Sequence, residues 1–205
     1  MGLILKDLLN IKNNMRTLII VLAFYIVLAI SVNDINLVSG MVVILFTMLS
    51  INSFSYDDLA KWDRCALSFP ISRGEIVLSK YILSLCMAAA GALISLIISF
   101  GIMLYKKEVE IKELLLATYI LFAIATFFIS MIIPLLYKFG VEKSRIMIIL
   151  VLGLPTLLLS FLAKSGIKIN ENFLIFLLKI SPVLLIGILI LSIFLSTAIY
   201  NNKEF

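Results

Sequence analysis

Six stretches of this chain carry no charged side chain at all: 17–33, 35–56, 81–105, 114–137, 146–163 and 180–202. Each is close to or above the roughly 18–20 residues that a helix needs to cross a hydrocarbon core. A backbone held in lipid must satisfy its own hydrogen bonds, so such runs fold as helices. The expected fold class is therefore all-α, a polytopic membrane protein with six transmembrane helices. The spans are placed at 17–33, 35–56, 73–105, 114–137, 146–163 and 173–201, as a single transmembrane domain covering 1–205. Composition agrees: 63% of the 205 residues are hydrophobic and only 14% are charged, against roughly 25% charged in soluble domains.

Orientation follows from the connectors. Eleven of the 17 Lys and Arg fall on one side: Lys6, Lys12, Arg16, Lys61, Arg64, Arg73, Lys80, Lys138, Lys143, Arg145 and Lys203. The positive-inside rule puts that side, and both termini, in the cytoplasm. The formal charge of +5 then reads as a topology signal, and nucleic acid is not an expected partner. No cleavable signal peptide is evident, because a mixed-charge segment precedes the first apolar run and no small-residue cleavage site follows it. Cys65 is expected in the cytoplasm and Cys86 in the membrane, which argues against a disulfide between them.

Residues 1–16 read as an amphipathic helix on the membrane surface, with Leu3, Ile4, Leu8 and Ile11 on one side and Lys6, Asp7, Asn10 and Lys12 on the polar side. The outer connectors are too short for an extracellular domain. Pro134, Pro155 and Pro182 fall within spans, where each is either a hinge or a static bend. Span three carries small residues at Ser84, Ala88, Gly91, Ser95 and Ser99. Such a face lets another helix approach closely, within the bundle or at a seam with a second copy.

Several chemistries are excluded. Without His there is no imidazole catalysis or His metal site. The absence of a G-x-x-x-x-G-K-[ST] motif excludes P-loop nucleotide binding by this chain. No acidic residue lies in the apolar interior of a span, which weakens an ion-driven secondary transporter. No catalytic, cofactor-binding or metal-binding residue is assigned. Asp57, Asp58 and Asp63 are spaced for different helix faces and do not read as a metal cluster.

The segment 57–80 is the longest stretch that a bilayer cannot hide. Leu59, Trp62, Ala66 and Phe69 recur at helical spacing, with Asp58, Lys61, Asp63 and Arg64 around them. Asp57 or Asp58 is expected to cap this short helix, and Asp57–Lys61 is a favourable i,i+4 pair. Pro70 ends it. Ser72 and Glu75 have the spacing of a capping box, with Ile71 and Ile76 at the staple positions, so the next helix should begin near Arg73. The result is a short surface helix, a sharp corner and a continuous rod into the bilayer. Local physics alone leaves a lever and a passive membrane anchor on equal footing.

The same segment resembles the signature of small permease subunits of type-2 ABC exporters from Gram-positive bacteria. Its match comprises Asp57-Asp58, Trp62, Ala66-Leu67-Ser68-Phe69-Pro70-Ile71-Ser72-Arg73 and Glu75-Ile76-Val77-Leu78-Ser79-Lys80-Tyr81. Departures are Asp58 for the usual glutamate, Phe69 for leucine, and Gly74 at a helical position. The resemblance implies a coupling helix at 57–69, with Asp57, Asp58, Lys61, Trp62, Asp63 and Arg64 docking on a separate ABC ATPase subunit. Pro70, Ser72, Arg73 and Glu75 would form the corner and cap. It implies a second permease copy or paralogue, surrounding membrane lipids, a bacterial cell-membrane location, and ATP and Mg in the partner ATPase with no cofactor in this chain. Relatives export phenol-soluble modulins, so an amphipathic peptide cargo is expected. The alternatives are a non-transport membrane module, such as a peptide-immunity or anchoring factor, and an ion-driven secondary transporter.

Overall fold

The computed structural model describes residues 2–12, 14–31, 35–66, 68–106, 111–164 and 171–203. For residues 30, 35, 64, 106, 145–152, 154–164, 171–175 and 177 only the backbone is described. The regular structure of the described residues is entirely helical: α1 (Gly2–Lys12), α2 (Met15–Ser31), α3 (Ile35–Leu59), α4 (Trp62–Ala66), α5 (Arg73–Lys106), α6 (Ile111–Lys164) and α7 (Glu171–Asn201). Four described segments are long and apolar enough to cross a membrane: Asn36–Leu59, Arg73–Tyr105, Ile111–Ser144 and Leu178–Asn201. The fold is an all-α polytopic membrane protein. The expected first span is α2, whose 17 residues reach about 26 Å. The expected fifth, 146–163, lies in the far part of α6, where the side chains are almost entirely outside the described residues.

Helix α6 is two helices joined at Gly140, whose φ of 76° and ψ of 173° leave the helical region. That combination is essentially restricted to glycine. The break comes after Pro134, which remains inside the helix, and α7 runs on through Pro182. The backbone turn thus falls at a glycine that the sequence pattern had not singled out.

Helix α5 is the spine of the bundle. Its small residues Ser84, Ala88, Gly91, Ser95 and Ser99 are all buried. A Cβ on Gly91 would lie 2.8 Å from Phe46 Cβ and 3.3 Å from Val43 Cα. Gly91 therefore marks where α3 and α5 cross most closely, and this face packs within the chain. The hydroxyls of Ser39 and Ser99 meet at 2.6 Å across the same interface. Those of Thr47, Ser50 and Ser95 return to carbonyls of their own helices, as a membrane interior requires. One turn before Ser84 on α5, the Tyr81 hydroxyl contacts those of Ser192 and Ser196 in α7. Ser192 in turn donates to the Ser130 carbonyl of α6.

Candidate functional site

At one end of the bundle the ends of α1, α3, α5 and α7 converge with α4 and the Gly140 break. This is where the chain concentrates its described ion pairs. Lys6 Nζ lies 2.6 Å from Asp57 Oδ1 and 3.3 Å from Asp7 Oδ1. Lys80 Nζ lies 2.5 Å from Asp57 Oδ2 and 3.0 Å from Asp7 Oδ2. The four residues form a closed ring in which each carboxylate bridges both lysines. Asp7 is 1% exposed, the Lys80 side chain 5% and the Asp57 side chain 13%.

Each ammonium lies against both carboxylates and one further group, although Asp7 Oδ1 meets Lys6 as an ion pair without a hydrogen bond. Lys80 completes its set by donating to Ser53 Oγ at 2.6 Å. Lys6 completes its own by lying over the Trp62 ring, 4.1 Å from the centroid, a cation–π contact. The ring carries no net charge, which makes its burial tolerable. Losing any member would leave an uncompensated charge.

This overturns two readings of the sequence. Asp7 and Lys6 were expected on the polar side of a surface helix, yet Asp7 is buried and Lys6 faces inward. Asp57 or Asp58 was expected to cap a helix at 57–69. Both lie instead in the last turn of α3, which continues unbroken to Leu59. Carboxylates at a helix C-terminus oppose its dipole, and the two ammoniums on Asp57 offset that cost. The helix of the corner is only Trp62–Ala66, because Lys61 adopts a left-handed φ of 48° that stops α3. Asp57 and Lys61 therefore do not pair across a helical turn, and Lys61 is exposed. Leu59, Trp62, Ala66 and Phe69 do not share a face either. Ala66 is buried, Trp62 half-buried, and Leu59 and Phe69 are exposed.

The corner is tied to its surroundings on its inner side. Trp62 stacks on Phe69, with centroids 6.5 Å apart. The Val141 N–H, just past the Gly140 break, points to Asp58 Oδ2 at 3.5 Å. Asp63 accepts a hydrogen bond from the Tyr200 hydroxyl at 3.1 Å and pairs with Lys203 at 3.8 Å. Arg73 donates to the carbonyls of Tyr200 and Asn201, a cationic cap on the C-terminus of α7. Ser72 N–H donates to Glu75 Oε2 at 2.9 Å, and Glu75 N–H to Ser72 Oγ at 3.3 Å. Both halves of the capping box are made, and α5 begins at Arg73. The side chain of Arg64 lies outside the described residues.

Sequence reasoning missed Lys6, Asp7, Tyr200 and Gly140 as parts of this site. One signal was available for the first two. A lysine at position 80, inside a helix that enters the bilayer, needs an anionic partner, and Asp7 is among the few candidates. Among the described residues no group of Cys, Asp and Glu is arranged to hold a metal ion. Asp57, Asp58 and Asp63 are each engaged by a cation or a donor instead.

The structure is thus a bundle of membrane-spanning helices whose described ion pairs gather at one end. The family model for ABC-2 family transporter proteins matches residues 2–201, nearly the whole chain, and the protein belongs to that family. It is thus a permease of the ABC transporter class, a membrane component that is not itself catalytic. No curated protein sequence matches the chain at a significant level.

Proposed function

We infer that this permease is driven by a separate ATPase subunit docking on the corner between α3 and α5, and that it exports amphipathic or hydrophobic peptides. The observation that carries the docking reading is the corner's two-sidedness. Its outer surface presents Leu59, Ala60, Lys61 and Ser68, all exposed. Leu59 is 82% exposed. Its inner surface is bonded to α1 through Trp62, to α6 through Asp58 and to α7 through Asp63, and the chain runs on directly into α5. A push on the outer side would reach four helices at once.

ATP and Mg belong in this reading to the partner, and the side bearing the corner is the cytoplasmic one. A second permease copy or a paralogue completes the assembly. The cargo proposal rests on the bundle interior, which offers apolar side chains and hydroxyls mostly bonded within the bundle, and on the resemblance noted above.

The test is co-reconstitution of the permease with its ATPase. Trp62→Ala, or Asp58→Ala with Asp63→Ala, should abolish cargo-stimulated ATP hydrolysis and transport while the bundle stays folded by circular dichroism. Leu59→Asp should weaken co-purification of the ATPase without touching the bundle. Full transport in the Trp62→Ala protein would refute the coupling role of the corner.

A further inference from the structure

A groove of about 620 Å³ lies beside the ion ring, between α1, the corner and the first turns of α5. Its walls are mainly apolar and include Leu3, Trp62, Phe69, Leu78 and Ile82. The lysine, serine and glutamate side chains on the wall are already engaged. Lys6 is held by Asp7 and Asp57, Ser79 donates to the Ile76 carbonyl, and Glu75 accepts from Ser72.

The groove is continuous with the outward face of a membrane span. Leu78 and Ile82, at 44% and 46% exposure, begin a stripe on α5 that continues through Leu93, Ile97 and Leu104. On the facing helix, Leu5, Leu8 and Leu9 of α1 are also exposed, as expected for a helix lying in the headgroup plane. The groove thus opens beside apolar surfaces of both α1 and the start of a membrane span. Water there would meet apolar walls and few partners.

We propose that this groove is a binding site for one acyl chain of a phospholipid from the leaflet at the charged end of the bundle. A hydrocarbon chain needs no hydrogen-bond partner, whereas an extended peptide would bury backbone groups against side chains that have none to give. Among the described residues that line the groove, Lys6 is the one cation, and it is committed to the ring. Recognition therefore rests on the chain and not on headgroup charge.

The chain's single tryptophan lines the groove, so Trp62 fluorescence reports occupancy directly. The purified full-length protein in detergent is titrated with phosphatidylcholine or phosphatidylglycerol brominated in the acyl chains. The expected result is saturable quenching at one lipid per protein, equal for the two headgroups. It should be lost in a Leu78→Phe/Ile82→Phe variant that retains wild-type helicity. Quenching in wild type that rises only with lipid mole fraction, without saturation, would overturn the site, and needs no variant to be read. Unchanged saturable quenching in the folded variant would also overturn it. So would a strong preference for the anionic lipid, or displacement of the lipid by an amphipathic helical peptide, which would assign the groove to cargo.

Discussion

Replacing Lys80 with methionine keeps the length and apolar stem of the side chain and removes only the ammonium. Three contacts go with it, to Asp7, Asp57 and Ser53. Two carboxylates are then left to Lys6 alone, and Asp7, at 1% exposure, has no access to water. Breaking a buried ionic group in this way costs about 3–5 kcal/mol. For a chain of this size each kcal/mol moves Tm by about 2–4 °C, so the variant should melt about 6–20 °C lower. The assay is thermal unfolding in detergent followed by circular dichroism, with Lys143→Met as the control because Lys143 is exposed. Adding Asp7→Asn restores neutrality, leaves the Lys6–Asp57 pair intact and should recover about 1–3 kcal/mol. If Lys80→Met melts no lower than the control, or if the two substitutions simply add, the ring does not carry the energy assigned to it.

Three further pairs or single changes probe other parts of the bundle by the same measurement. Gly91→Ala forces α3 and α5 apart and should cost about 1–3 kcal/mol; Gly101→Ala, with nothing within 4 Å of the added carbon, should be neutral. Tyr81→Phe removes the hydroxyl that joins Ser192 and Ser196 and should cost about 1–3 kcal/mol. By contrast, Tyr137→Phe removes a buried hydroxyl without a hydrogen-bond partner and should be neutral or stabilising. Gly140→Ala imposes a side chain on a φ of 76° and ψ of 173° and should cost about 1–3 kcal/mol.

Legibility from sequence followed the range of the interaction. The apolar spans were readable because lipid imposes a length and a composition on each helix separately. The start of α5 was readable because Ser72 and Glu75 interact over three residues, and a capping box leaves a local pattern. The ion ring was not readable in the same way. Asp7 meets Lys80 across 73 positions, and an isolated amphipathic pattern places Asp7 on the wet side of α1 by default. The end of α3 was misplaced for a related reason. Asp57 looks like a helix start until the two ammoniums that neutralise it at a helix end are known. Gly140 was passed over because prolines seemed the natural breaks, while the left-handed turn that needs glycine leaves no composition signal.

The closed ring also constrains how the protein is made. Lys6 and Asp7 leave the ribosome first, Asp57 follows after the second apolar run, and Lys80 comes only as the third run begins. Until Lys80 emerges, the earlier residues hold two carboxylates and one ammonium, and burying that set is unfavourable. Helix α1 gains its full anchorage only once three separate pieces of chain have reached the same membrane surface. Its docking is therefore a late event in biogenesis, and an exposed α1 would mark a permease whose third span has not yet been inserted.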